Sequence, residues 1–211
     1  FAVAITALSG LVRGFSGFGS ALIYIPLIAA IYEPRIAALT LLITDFVASA
    51  PLTFAQARKC NWREVAPMTV AAALTVPFGA LALQFLDPII LRWGIAGLVT
   101  MLVVVLMSGW RYNITPGIPA SACVGLAAGF GAGATQIAAP LPIIYWLGGP
   151  SSAALVRANL MVFLLLLESV SIMVYAARGL FAADILMLSV LLGPVFIVSI
   201  AIGARLFKGA A

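Results

Sequence analysis

Gly14-Phe15-Ser16-Gly17-Phe18-Gly19 interrupts an apolar run that extends from about Phe1 to Tyr32, in which Arg13 is the one charged side chain. A stretch that is apolar on every face belongs inside a large core or inside lipid. About 20 such residues cross a bilayer, and glycine permits backbone angles that other residues resist. The reading that follows is a lipid-embedded helix that comes apart at its glycines.

The rest of the chain has the same character. Its 211 residues are 64% hydrophobic and 8% charged, with a mean hydropathy of +1.23, where soluble domains carry about 25% charged residues. Backbone groups in lipid must pair internally, so only helices and closed barrels span it. Barrel strands alternate apolar and polar residues; these segments do not. The expected fold is an all-α integral membrane bundle.

Seven segments are expected to span. The first ends at Glu33-Pro34-Arg35, and the second runs from about Ile36 to Ala57. The polar stretch from Arg58 to Glu64 leads to the third, Val65 to Leu86, which Asp87-Pro88 closes. The fourth covers Ile89 to Trp110. After the connection from Arg111 to Gly117, the fifth, Ile118 to Leu147, is interrupted by Gly129-Phe130-Gly131-Ala132-Gly133. Ser151 to Ala177 and Phe181 to Phe207 complete the set. Trp62, Trp110, Trp146 and Tyr32 near span ends read as an interfacial aromatic belt.

The net charge of +5 is dispersed over connections. That suits orientation and contact with anionic lipid rather than nucleic acid. Simple alternation of spans puts Arg58, Lys59, Arg63, Arg111 and Arg178 on one side. Arg35, Arg92, Arg205 and Lys208 fall on the other. This slight bias favours a cytoplasmic 58–64 loop. There is no histidine, and Cys60 and Cys123 have no metal or redox spacing. Neither a metal nor a cofactor is expected.

The chain also repeats itself. Gly10-Leu11-Val12-Arg13-Gly14-Phe15 aligns with Gly125-Leu126-Ala127-Ala128-Gly129-Phe130. After a one-residue gap, Gly19 meets Gly133 and Ile25-Pro26-Leu27 meets Ala139-Pro140-Leu141. Gly79-Ala80 matches Gly203-Ala204. The halves are 1–115, with four spans, and 116–211, with three. An eighth helix is expected after Ala211, and the start at Phe1 reads as trimmed. Duplicated halves with glycine-interrupted helices point to a secondary transporter. Four crossings per half would make the halves parallel; re-entrant turns at the glycines would make them inverted.

The first glycine string with Ile25-Pro26-Leu27, and its second copy ending in Pro140-Leu141, resemble the sulfite exporter TauE/SafE family. Asn61-Trp62-Arg63-Glu64-Val65 and Val156-Arg157-Ala158-Asn159-Leu160 resemble it too. The resemblance implies a multi-pass bacterial inner-membrane permease of about eight helices for sulfite, sulfur-containing organic anions or related carboxylates. The chain departs from it in the missing last helix and in Gly131-Ala132-Gly133, which lacks the Phe of the first copy.

An opened helix offers N–H groups and a positive N-terminal end to an anion. The expected substrate site is therefore Gly14, Ser16, Gly17, Gly19 and Ser20 facing Gly129, Gly131, Gly133, Thr135 and Gln136. Tight helix packing through small residues is the competing reading of the glycines. Arg13 has the fork that matches an oxyanion. Arg157, a further substrate candidate that could instead sit at the membrane interface, and Glu168 lie within about 20° of each other on one helix and about 16 Å apart, so both can line one pathway; Asn159, also a substrate candidate, faces almost opposite to Glu168. Asp45 and Glu168 are candidates for proton coupling or for structural pairing with Arg13 or Arg157. The expected partners are the bilayer, a small anion and protons. An enzyme is disfavoured without a histidine or a nucleophile motif. A complex subunit and a passive channel remain alternatives.

Overall fold

The computed structural model describes residues 1–108 and 117–210; the connection carrying Trp110 and Arg111, and the side chain of Lys208, lie outside the described residues. Nine helices and no strand occur among the described residues: α1 Ala2–Ser16, α2 Ser20–Ile31, α3 Pro34–Phe54, α4 Trp62–Phe85, α5 Pro88–Met107, α6 Ile118–Thr135, α7 Pro140–Leu147, α8 Ala153–Ala177 and α9 Ala183–Ala210. The expectation of an all-helical chain therefore holds. By length and composition, α3, α4, α6, α8 and Ala183–Leu206 of α9 are able to cross a membrane. Their outward faces are apolar: Val70, Leu74 and Phe78 form an exposed stripe on α4 at helical spacing. Water penalises so continuous an apolar face, and lipid does not.

The first segment is not one interrupted span. Arg13 of α1 meets Asp45 of α3, and Gly14 and Gly17 lie beside Ser49, Pro51 and Leu52 further along α3. Ser20 of α2 also meets Asp45, but Tyr24 meets Thr40, in the reverse sense. Thus α1 runs with α3, α2 runs against it, and α1–α2 is an antiparallel hairpin. The fifth segment does likewise. The Tyr145 hydroxyl near the end of α7 lies 2.9 Å from Ser121 Oγ and accepts the Gly117 amide at 3.0 Å. These are at the start of α6, so α7 returns along it. The expectation of seven spans is corrected at both places.

The hairpins also change the parity of the ends. Ala204 and Arg157 border one cleft, while Arg178 reaches Gln84 at the far end of α4. Arg205 therefore shares an end with Arg58, Lys59 and Arg63, and Arg178 joins Arg35 and Arg92. Both reverse the simple alternation.

The hairpins pack through glycine. α1 lies along α9 and α6 along α4. A Cβ on Gly14 would strike the Ile200 carbonyl and Ala204 amide; one on Gly203 would strike the Leu11 carbonyl and Phe15 amide. A Cβ on Gly133 would strike the Val76 carbonyl and Ala80 amide; one on Gly79, the Phe130 carbonyl and Ala134 amide. In each crossing a glycine meets the carbonyl three residues before, and the amide one residue after, its opposite glycine. Gly10 against the Phe196 carbonyl and Gly129 against that of Ala72 repeat this one turn earlier. The environments pair Gly14 with Gly133 and Gly10 with Gly129, one helical turn from the alignment drawn on the sequence. They keep its pairing of Gly79 with Gly203.

Candidate functional site

α1 stops at Gly17, whose φ of 84° is left-handed, and Gly19 has a φ of 92°. Glycine adopts this backbone without the Cβ penalty. The carbonyls that α1 leaves without helical partners receive arginines. Arg13 Nη1 donates to Gly17 O at 2.8 Å, and Arg157 Nη2 donates to Gly14 O at 3.3 Å. Cations suit this negative helix end.

α6 stops three residues past Gly133, as α1 stops three past Gly14. Its left-handed cap is Gln136, with a φ of 58°. Gln136 Nε2 donates to Ala132 O at 2.9 Å, and the Tyr175 hydroxyl of α8 reaches Gly133 O at 2.6 Å. The chain then doubles back, so that the Ile137 carbonyl would lie 2.7 Å from a Cβ on Gly131.

The second break therefore lies at Gln136–Ala139, not at the Gly129–Gly133 string. Gly14, Gly129 and Gly133 are helix-packing positions, and Gly131 makes room for the returning chain. Ser16 Oγ lies 2.7 Å from the Val12 carbonyl and 2.6 Å from that of Phe18. Thr135 Oγ1 donates to Gly131 O at 3.0 Å. Both hydroxyls serve their own helix ends.

Arg13 is the centre of the polar interior. Its Nε lies 2.9 Å from Asp45 Oδ1 and its Nη2 lies 3.4 Å from Glu168 Oε1. Asp45 Oδ2 accepts the Ser20 hydroxyl at 2.7 Å. Ser20 opens α2, so Asp45 sits at a positive helix end. Both Asp45 oxygens are thereby held, whereas Glu168 Oε2 is buried with no hydrogen-bond partner among the described residues. Pairing of both acids with Arg13, one of the two readings of the sequence, is what the geometry displays.

The two hairpin tips meet across this cluster. A cavity of about 30 Å³ is lined by Gly19 and Ser20 of the first tip, Gln136 and Ile137 of the second, and Arg13, Asp45 and Glu168. That volume is about one water's share of the liquid. Arg157 lies apart from the cavity, in a neighbouring cleft. Asn159 is elsewhere: its Oδ1 accepts the Asn61 amide at 2.8 Å, and Asn61 Nδ2 donates to Glu64 at 2.8 Å. It fastens α8 to the start of α4, so the two motifs Asn61–Val65 and Val156–Leu160 touch.

Residues 2–210 match the model of the sulfite exporter TauE/SafE family. The chain belongs to the TauE/SafE family. Comparisons with curated proteins and with solved structures give no match. Membership and the apolar helices make this TauE/SafE chain a multi-pass membrane protein of a family that transports sulfur-containing anions. Tyr175 was not singled out in the sequence. Its only signal there is a tyrosine inside an apolar span, whose hydroxyl needs a partner.

Proposed function

We propose that the protein is a secondary transporter of a small anion, sulfite, an organosulfonate or a related carboxylate, working by alternating access about the two hairpin tips. The observation that carries this is a buried arginine, bonded to two acids, at the point where two helix breaks face each other. The 30 Å³ cavity beside it suits a closed state better than an open pore.

In this reading residues 1–115 and 116–211 are inverted halves. Each begins with a re-entrant hairpin, α3 and α8 run antiparallel, and the two glycine crossings have matching contacts. The end carrying Arg58, Lys59, Arg63 and Arg205 faces the cytoplasm of a bacterial inner membrane.

The anion docks on Arg13 with help from the N-terminal amides of α2. With Asp45 and Glu168 both ionised, the cluster has a charge of −1. An added anion about 4 Å from a carboxylate would cost about 4 kcal/mol at an effective dielectric of 20. Glu168 is the acid that yields: its contact to Arg13 is the longer and its Oε2 is unpartnered. It swings off Arg13 and takes up a proton, while Asp45 stays. Anion and proton then travel together, so acid on the loading side promotes uptake.

The test is uptake of labelled sulfite or sulfoacetate into liposomes holding only this protein. Uptake without ATP, increased by acid outside, is expected. A requirement for ATP and a second subunit would replace this reading with that of a complex subunit.

A further inference from the structure

Two larger clefts lie at the end of the bundle that carries the 55–61 loop. The first, about 260 Å³, is bordered by Arg13, Gly17, Gln56 and Arg157. The second, about 440 Å³, is bordered by Gln56, Lys59 and Arg157, with Phe18, Ile143 and Leu160 as an apolar wall. Gln56 and Arg157 belong to both, and Arg13 joins the first to the inner cavity. Charge changes along this series. The inner cavity has two carboxylates beside its arginine, whereas neither cleft is lined by an acid among the described residues.

We propose that these clefts form an outer anion site, at which Lys59 and Arg157 hold an organosulfonate before it passes Gly17 to Arg13. The inference rests on the transport reading and adds a second site to it. Positive side chains without acids raise the local anion concentration, and a cleft with low-dielectric walls focuses that field. The apolar wall accommodates the carbon portion of the anion. Gly17 lets the Arg157 side chain lie against the backbone between the first cleft and Arg13: a Cβ there would come within 3.0 Å of it.

The experiment uses the intact protein and sulfoacetate. In liposomes oriented with this cleft outward, Lys59→Glu is expected to raise the half-saturating concentration about tenfold at low salt. Its maximal rate should be unchanged. The difference should shrink at 1 M salt, where the Debye length is about 3 Å. Lys59 is exposed on a loop, so this variant keeps the fold. Arg157→Gln should act in the same direction and Arg157→Lys should recover most of the loss. Wild-type half-saturation at low salt in both Lys59→Glu and Arg157→Gln would overturn the outer site while leaving transport intact. Equilibrium binding in nanodiscs separates the two claims. Sulfoacetate bound in a Lys59-dependent way by a protein without uptake would keep the site and remove the transport reading. Absence of both binding and uptake would overturn both.

Discussion

Asp45 binds Arg13 at 2.9 Å with 4% of the arginine and 6% of the aspartate side chain exposed, and its second oxygen holds the first residue of α2. One carboxylate therefore fixes the end of α1 and the start of α2 together. Glu168 approaches the same arginine through a single contact at 3.4 Å.

This asymmetry separates two substitutions. Asp45→Asn leaves a buried guanidinium poorly compensated and is expected to cost about 3 kcal/mol, read as a lower melting temperature in detergent. Glu168→Gln removes the weaker partner and is expected to cost under about 1 kcal/mol. It should abolish the response of uptake to a pH gradient while leaving anion exchange at equal pH. A Glu168→Gln protein that still accumulates anion on the acid gradient would end the coupling role of this residue.

Glycine crossings offer a test of the inverted halves. Gly14→Ala and Gly133→Ala each push a methyl group into a facing backbone carbonyl, a form of overpacking worth about 1–3 kcal/mol. Similar losses at the two sites are expected. Gly94 in α5 has nothing within 4 Å of a would-be Cβ, so Gly94→Ala should gain up to about 1 kcal/mol of helix stability. Thermal unfolding of the three variants reads all of this.

The helices were legible because lipid demands long apolar runs and the chain supplies them. Arg13, Asp45 and Glu168 stood out for the same reason, as charges in such runs. The hairpins were legible only as one of two alternatives, re-entrant turns at the glycines, and the position of the second turn was not. Glycine marks both a helix that opens and a helix that packs closely, and only a partner decides between them. Gly17 opens α1; Gly14, three residues away, packs on α9. In the second string Gly129 and Gly133 pack and Gly131 makes room, and the opening falls on Gln136, a residue with no turn signal of its own. The contacts of Asn159 were not legible because its partners, Asn61 and Glu64, are almost a hundred residues distant.

Asn159 consequently has a stability phenotype. Asn159→Ala removes the acceptor of the half-buried Asn61 amide and is expected to cost about 1 kcal/mol. The half-saturating concentration for sulfoacetate should be that of wild type. A change in half-saturation with unchanged melting would restore Asn159 to the substrate site.

The second break can be dissected through its cap. Gly133 O has no helical donor, because the amide that would supply one, Ile137 N–H, turns to Thr135 Oγ1 at 3.3 Å. The Tyr175 hydroxyl takes that place at 2.6 Å. Tyr175→Phe strands the carbonyl and is expected to cost about 1–3 kcal/mol. Gln136 pays about 1–2 kcal/mol for its left-handed backbone and offsets this with bonds to Ala132 O and Tyr175. Gln136→Gly removes both the strain and the bonds, so its stability should stay near wild type. Gln136→Ala retains the strain and loses the bonds, so it should be the least stable of the three. Melting temperatures in the order wild type, Gly, Ala are expected, with the first two close together. If Gln136→Ala melted with wild type, the side-chain bonds would contribute nothing, and the tip would be held by backbone packing against Gly131 alone.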